Sequence, residues 1–96
     1  MQTTSAIMRI EDARRIIALI TKRSFDSHEF IRKMLKHDAA LYGEILTRYN
    51  NVQTADREIG KFLQNYSGKL QITKINTIYS PNILNNITSC ALWRKQ

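Results

Sequence analysis

The sequence predicts a mainly α fold, a small single-domain bundle of four to five helices, with at most one short strand or extended segment (about residues 70–79) before a C-terminal helix. Three observations carry this expectation. Apolar residues recur at three- and four-residue steps, the spacing that lines one face of a 3.6-residue turn. Capping residues stand just ahead of several of these stripes. A chain of 96 residues is long enough for one hydrophobic core and too short for two.

Residues 1–8 are polar and lack the basic start and apolar stretch of a signal peptide, so they read as a flexible arm ahead of a single helical domain over 9–96. The first helix is expected over about 8–23, with Ile10, Ala13, Ile16, Ile17 and Ile20 on its buried face. The next start is the sharpest local signal. Asp26 suits an N-cap because its carboxylate accepts from the open backbone N–H groups of the first turn. Glu29, three residues on, can reach back to the cap's own N–H, and Phe25 and Phe30 occupy the positions of a hydrophobic staple. Phe30, Ile31, Met34 and Leu35 continue the stripe until Asp38 interrupts it. Either one long helix runs from Ser27 to Tyr49 or Asp38 caps a new helix carrying Leu41, Tyr42, Ile45, Leu46 and Tyr49. An unpaired carboxylate on a buried stripe is costly, which favours the break.

Asn50-Asn51 ends that helix, since Asn tolerates the left-handed conformation. Thr54 is read as the next cap, with Asp56 favourably placed near the positive end of the helix dipole. Ile59, Phe62, Leu63 and Tyr66 form the stripe and Gly68 supplies the stop. Gly43 and Gly60 fall inside helical patterns, which points to close packing against a neighbouring helix. The stretch from Leu70 to Tyr79 is rich in β-branched residues, with mixed spacing. Ser80-Pro81 reads as a helix start, because Pro at the first helical position loses only an N–H that had no partner. Ile83, Leu84, Ile87, Ala91 and Trp93 would then face the core.

Composition excludes several function classes. A single Cys rules out an intramolecular disulfide framework and a Cys-based structural zinc site. The longest apolar run, Ile16 to Ile20, is far too short for a membrane span, and the default location is cytoplasmic. Catalytic, metal-ligating and cofactor-binding residues are expected to be absent. His28 and His37 would face opposite ways on one helix and read as surface residues. Cys90 reads as a small hydrophobe on the last helix. Gly43, Gly60 and Gly68 stand alone and make no phosphate loop.

Charge is the most informative feature. The net charge is +7, yet all eight acidic residues precede Ile59, while Lys61, Lys69, Lys74, Arg94 and Lys95 follow it. Such asymmetry favours an acidic partner for the C-terminal part. The expected function is therefore a small basic binding domain for nucleic acid, DNA or RNA, without catalytic activity. Lys69, Lys74, Arg94 and Lys95 would contact phosphate, and Asn82, Asn85 and Asn86 would lie near bases. Helix, short strand and polar helix fit a winged-helix or helix-turn-helix relative. The dozen residues between Gly68 and Pro81, however, exceed the three- or four-residue turn of a helix-turn-helix. The competing expectation is a helical protein–protein adaptor module or homodimer in a larger assembly, suggested by the wide apolar stripes and by Tyr42, Tyr49, Tyr66, Tyr79 and above all Trp93 near the chain end as anchors. Neither reading involves a membrane or a small-molecule substrate.

Overall fold

In the computed structural model, which describes residues 7–96, the chain is an α+β domain rather than the expected helical bundle. Five helices are joined by a three-stranded sheet: α1 Ile10–Leu19, β1 Ser24–Asp26, α2 Ser27–His37, α3 Ala39–Tyr49, α4 Val52–Asn65, α5 Ser67–Leu70, β2 Ile72–Pro81 and β3 Ile87–Lys95. The sheet is antiparallel throughout, in the order β1-β3-β2, so the last strand in sequence is the central one.

The helix starts follow local chemistry. Asp26 and Glu29 form the complete capping box: the Asp26 carboxylate accepts from the Glu29 amide at 2.8 Å, and the Glu29 carboxylate accepts from the Asp26 amide at 3.1 Å. Asp38 does separate two helices, accepting from the Leu41 amide at 3.3 Å and from the Arg15 guanidinium at 2.9 Å. Asn50 ends α3 in the left-handed conformation. The cap of α4 is Asn51, whose side chain accepts from the Thr54 amide at 3.0 Å, so Thr54 lies inside the helix instead of capping it. A Cβ built on Gly43 or Gly60 would meet nothing within 4 Å, and neither glycine serves close packing.

Two segments depart from the helical expectation. The first helix is shorter than the expected 8–23, because Ile20 already has extended backbone and the chain turns into β1. The expected C-terminal helix does not form: its residues supply the end of β2, a turn and β3. Pro81 ends a strand here, and Asn82–Asn86 make the turn. The Asn82 side-chain carbonyl accepts from the amides of Leu84 (2.9 Å) and Asn86 (3.0 Å). Asn85 takes the left-handed conformation at φ 65°, which Asn adopts at low cost. Strand pairing supplies the hydrogen bonds that a helix would otherwise provide, and Ile87, Thr88 and Trp93 suit a pleated surface.

One core joins the helices to the sheet. Phe25 of β1, Phe30 and Met34 of α2, Ile59 and Leu63 of α4 and Trp93 of β3 are all buried in it. Trp93 is only 2% exposed and donates its indole N–H to Ser27 Oγ at 3.0 Å, giving its buried polar atom a partner. Met8 is buried and Ile7 packs on the same core, whereas the expected arm's first six residues lie outside the described residues.

Candidate functional site

The helix α4 and the β2–β3 hairpin stand apart enough to leave a cavity of about 440 Å³. The pattern that packs Ala55, Ile59, Phe62 and Leu63 into the core turns Gln53, Asp56, Arg57, Gly60 and Gln64 toward this cavity. These positions step by three and four residues, so they share one face of the helix. The opposite wall comes from Lys74 and Thr77 of β2 and from Thr88, Ser89, Cys90 and Ala91 of β3, and Ser27 and His28 of α2 close the floor.

Two of the seven residues expected to bind nucleic acid line this cavity, Lys74 and Asn82. The others lie elsewhere. Lys69 is exposed at the end of α5, and its backbone carbonyl accepts from Arg14 at 2.9 Å. Arg94 is paired with Thr73 and Ser24, next to the buried Trp93, so strand alternation puts it on the opposite face of the sheet. The ammonium of Lys95 donates to the Ile20 carbonyl and holds β3 against the end of α1. Asn85 and Asn86 are exposed in the hairpin turn.

His28 is not the surface residue expected from sequence. It is 6% exposed and sits between two hydroxyls, Ser80 Oγ at 2.8 Å from Nδ1 and Thr88 Oγ1 at 3.2 Å from Nε2. Ser80 Oγ also lies 3.5 Å from the thiol of half-buried Cys90. Ligand atoms of Asp26, His28 and Cys90 all fall within 4.8 Å of one another. Cys90 is far from the other two in sequence, and only the sheet brings it to the start of α2. The closely spaced Asp26 and His28 carried a signal in sequence, read only as a cap and a surface residue.

Behind the cavity wall, the Tyr42 hydroxyl donates to Asp56 Oδ1 at 2.9 Å. Burial raises the Asp56 carboxyl above its ordinary range, although the Tyr42 hydroxyl and the nearby His28 charge oppose that shift. Burial, with the adjacent Asp56 carboxylate, also pushes the Tyr42 phenol well up. Trp93 belongs to the core and presents no surface for a partner, whereas Tyr79 is 76% exposed. No family model matches this chain, and neither a curated protein nor a solved structure matches it.

Proposed function

We propose that this is a non-catalytic nucleic-acid-binding domain, winged-helix-like in its order of elements, that takes DNA or RNA in the cleft between α4 and the β2–β3 hairpin. The observation that carries the reading is the lining of that cleft. Two cations, Arg57 and Lys74, stand with three amide side chains, Gln53, Gln64 and Asn82, on facing walls, against one carboxylate, Asp56, on the α4 side. Guanidinium and ammonium groups neutralise phosphate, and planar amides can hydrogen-bond base edges. The absence of acidic residues after Glu58 keeps the hairpin side of the cleft positive. The helix and the hairpin both project from one core, which fits a binding surface built on rigid elements. Among the described residues no helix is long and apolar enough to cross a membrane, and the location that goes with this reading is the cytoplasm.

The test is fluorescence anisotropy of labelled duplex DNA, single-stranded DNA and RNA at two salt concentrations. Binding should weaken steeply as salt rises. The double variant Arg57→Gln/Lys74→Gln should bind several-fold more weakly, and on duplex DNA its salt slope should shrink by about 0.9 for each phosphate that is no longer neutralised. Unchanged affinity in the double variant would remove the cleft from the reading. No binding of any of the three probes at low salt would remove the reading itself.

A second reading, a protein–protein module, draws support from the far end of the hairpin, where Tyr79, Leu84 and Ile87 are 76%, 54% and 64% exposed. Three large apolar side chains at one end of a hairpin suit an apolar partner surface. Here the hairpin replaces Trp93 as the candidate anchor.

A further inference from the structure

We propose that Asp26, His28 and Cys90 form a binding site for a Zn²⁺-class divalent ion, with its fourth coordination position open to the cavity between α4 and the hairpin. The inference stands apart from nucleic-acid binding and rests on three side chains that packing brings together. Their ligand atoms lie within 4.8 Å of one another. Around a tetrahedral ion with ligand bonds of about 2.0–2.3 Å, donors sit about 3.5 Å apart, so side-chain movements of about 1 Å close the site.

The donor set selects the ion. A thiolate, an imidazole and a carboxylate together suit Zn²⁺ and its neighbours, whereas Mg²⁺ and Ca²⁺ prefer oxygen ligands alone. Charge also matches: a thiolate and a carboxylate balance a divalent cation, so the loaded site brings no net charge into a partly buried region. Loading takes one proton from the chain, as Cys90 S–H gives way to the sulfur–metal bond and the proton passes to water.

The surroundings are already arranged for ligation. Both imidazole nitrogens of His28 face hydroxyls, Ser80 at Nδ1 and Thr88 at Nε2. Whichever nitrogen binds the ion, the other keeps a hydroxyl partner that fixes the ring, the role of an outer-shell group. Asp26 is 6% exposed, and the Glu29 amide donates to one of its oxygens, leaving the other to ligate without loss of the helix cap. His28 and Cys90 both line the cavity, so water or a ligand atom from that side completes the coordination. Three protein ligands thus leave one position of a tetrahedral ion for a group that the chain does not supply.

Titration of the full chain with Co²⁺ under reducing conditions tests the proposal. One equivalent should produce a thiolate-to-cobalt charge-transfer band, and the band must arise at Cys90, the single cysteine. Zn²⁺ should abolish it by competition. Cys90→Ser should remove the band, and Asp26→Asn and His28→Gln should each weaken Co²⁺ binding at least tenfold, with His37→Gln as an unaffected control. Asp26→Asn retains a capping side chain, so it reports on ligation even if His28→Gln fails to fold. Absence of the band, or a band whose affinity Asp26→Asn leaves unchanged, would overturn the three-ligand site.

Discussion

Asp56 ties the stability of the domain to pH through a single carboxyl. Because its folded value lies above the ordinary 3.8, the folded chain holds this proton more tightly than the unfolded chain does. Stability from this group is therefore greatest at acid pH and declines as pH rises from about 3.8 through the folded value, after which the penalty is constant. Asp56→Asn keeps a carbonyl for the Tyr42 hydroxyl and removes the titration. Denaturant unfolding at several pH values should show the variant gaining on the wild type across that window, and a constant difference would contradict the account. For the site, single residues carry the least signal in the sequence. His28 and Cys90 looked like isolated surface and core residues, because folding supplies the groups that give them meaning: Ser80 and Thr88 reach His28 from the hairpin, and the sheet brings Cys90 to Asp26 and His28.

At the scale of elements, what was legible was local. The Asp26–Glu29 capping box, the break at Asp38 and the left-handed Asn50 each involve groups within four residues of one another, and all three were readable from spacing. The hairpin was not readable in this way. Ser80-Pro81 followed by Asn residues suits a helix start and equally suits the end of a strand and a turn, and only pairing with β1 and β2 decides between them. Once formed, the turn depends on Asn85 in the left-handed region. Asn85→Gly should leave stability nearly unchanged, while Asn85→Val should cost about 1–2 kcal/mol, the usual penalty for a side chain forced into that region. Chemical denaturation of the two variants checks the contrast. Equal stabilities would mean that the turn relaxes to another conformation.

For the whole molecule, the distribution of surface decides between the two functional readings. The cations Arg57 and Lys74 lie along the cleft, and the apolar residues Tyr79, Leu84 and Ile87 gather toward the end of the hairpin. If the hairpin end mediates self-association, sedimentation should show a concentration-dependent dimer that Leu84→Lys/Ile87→Lys returns to monomer while Arg57→Gln/Lys74→Gln does not. A monomer at every concentration would leave only a different protein partner for that surface.

The placement of β3 at the centre of the sheet bears on how the protein is made. All five helices and both flanking strands precede it in the chain, so during synthesis they leave the ribosome before the strand that pairs with β1 and β2. Until then β1 has no strand partner, Ser27 lacks the Trp93 indole, and the core residues around Phe25 stand open on one side. Translation at roughly 5–20 residues per second makes that interval short, but throughout it the nascent chain is an incomplete domain with an apolar face uncovered. Holding chaperones would find their target in that window, and a ribosome stalled within the codons of β3 would hold a chain whose helices are made but whose sheet lacks its central strand.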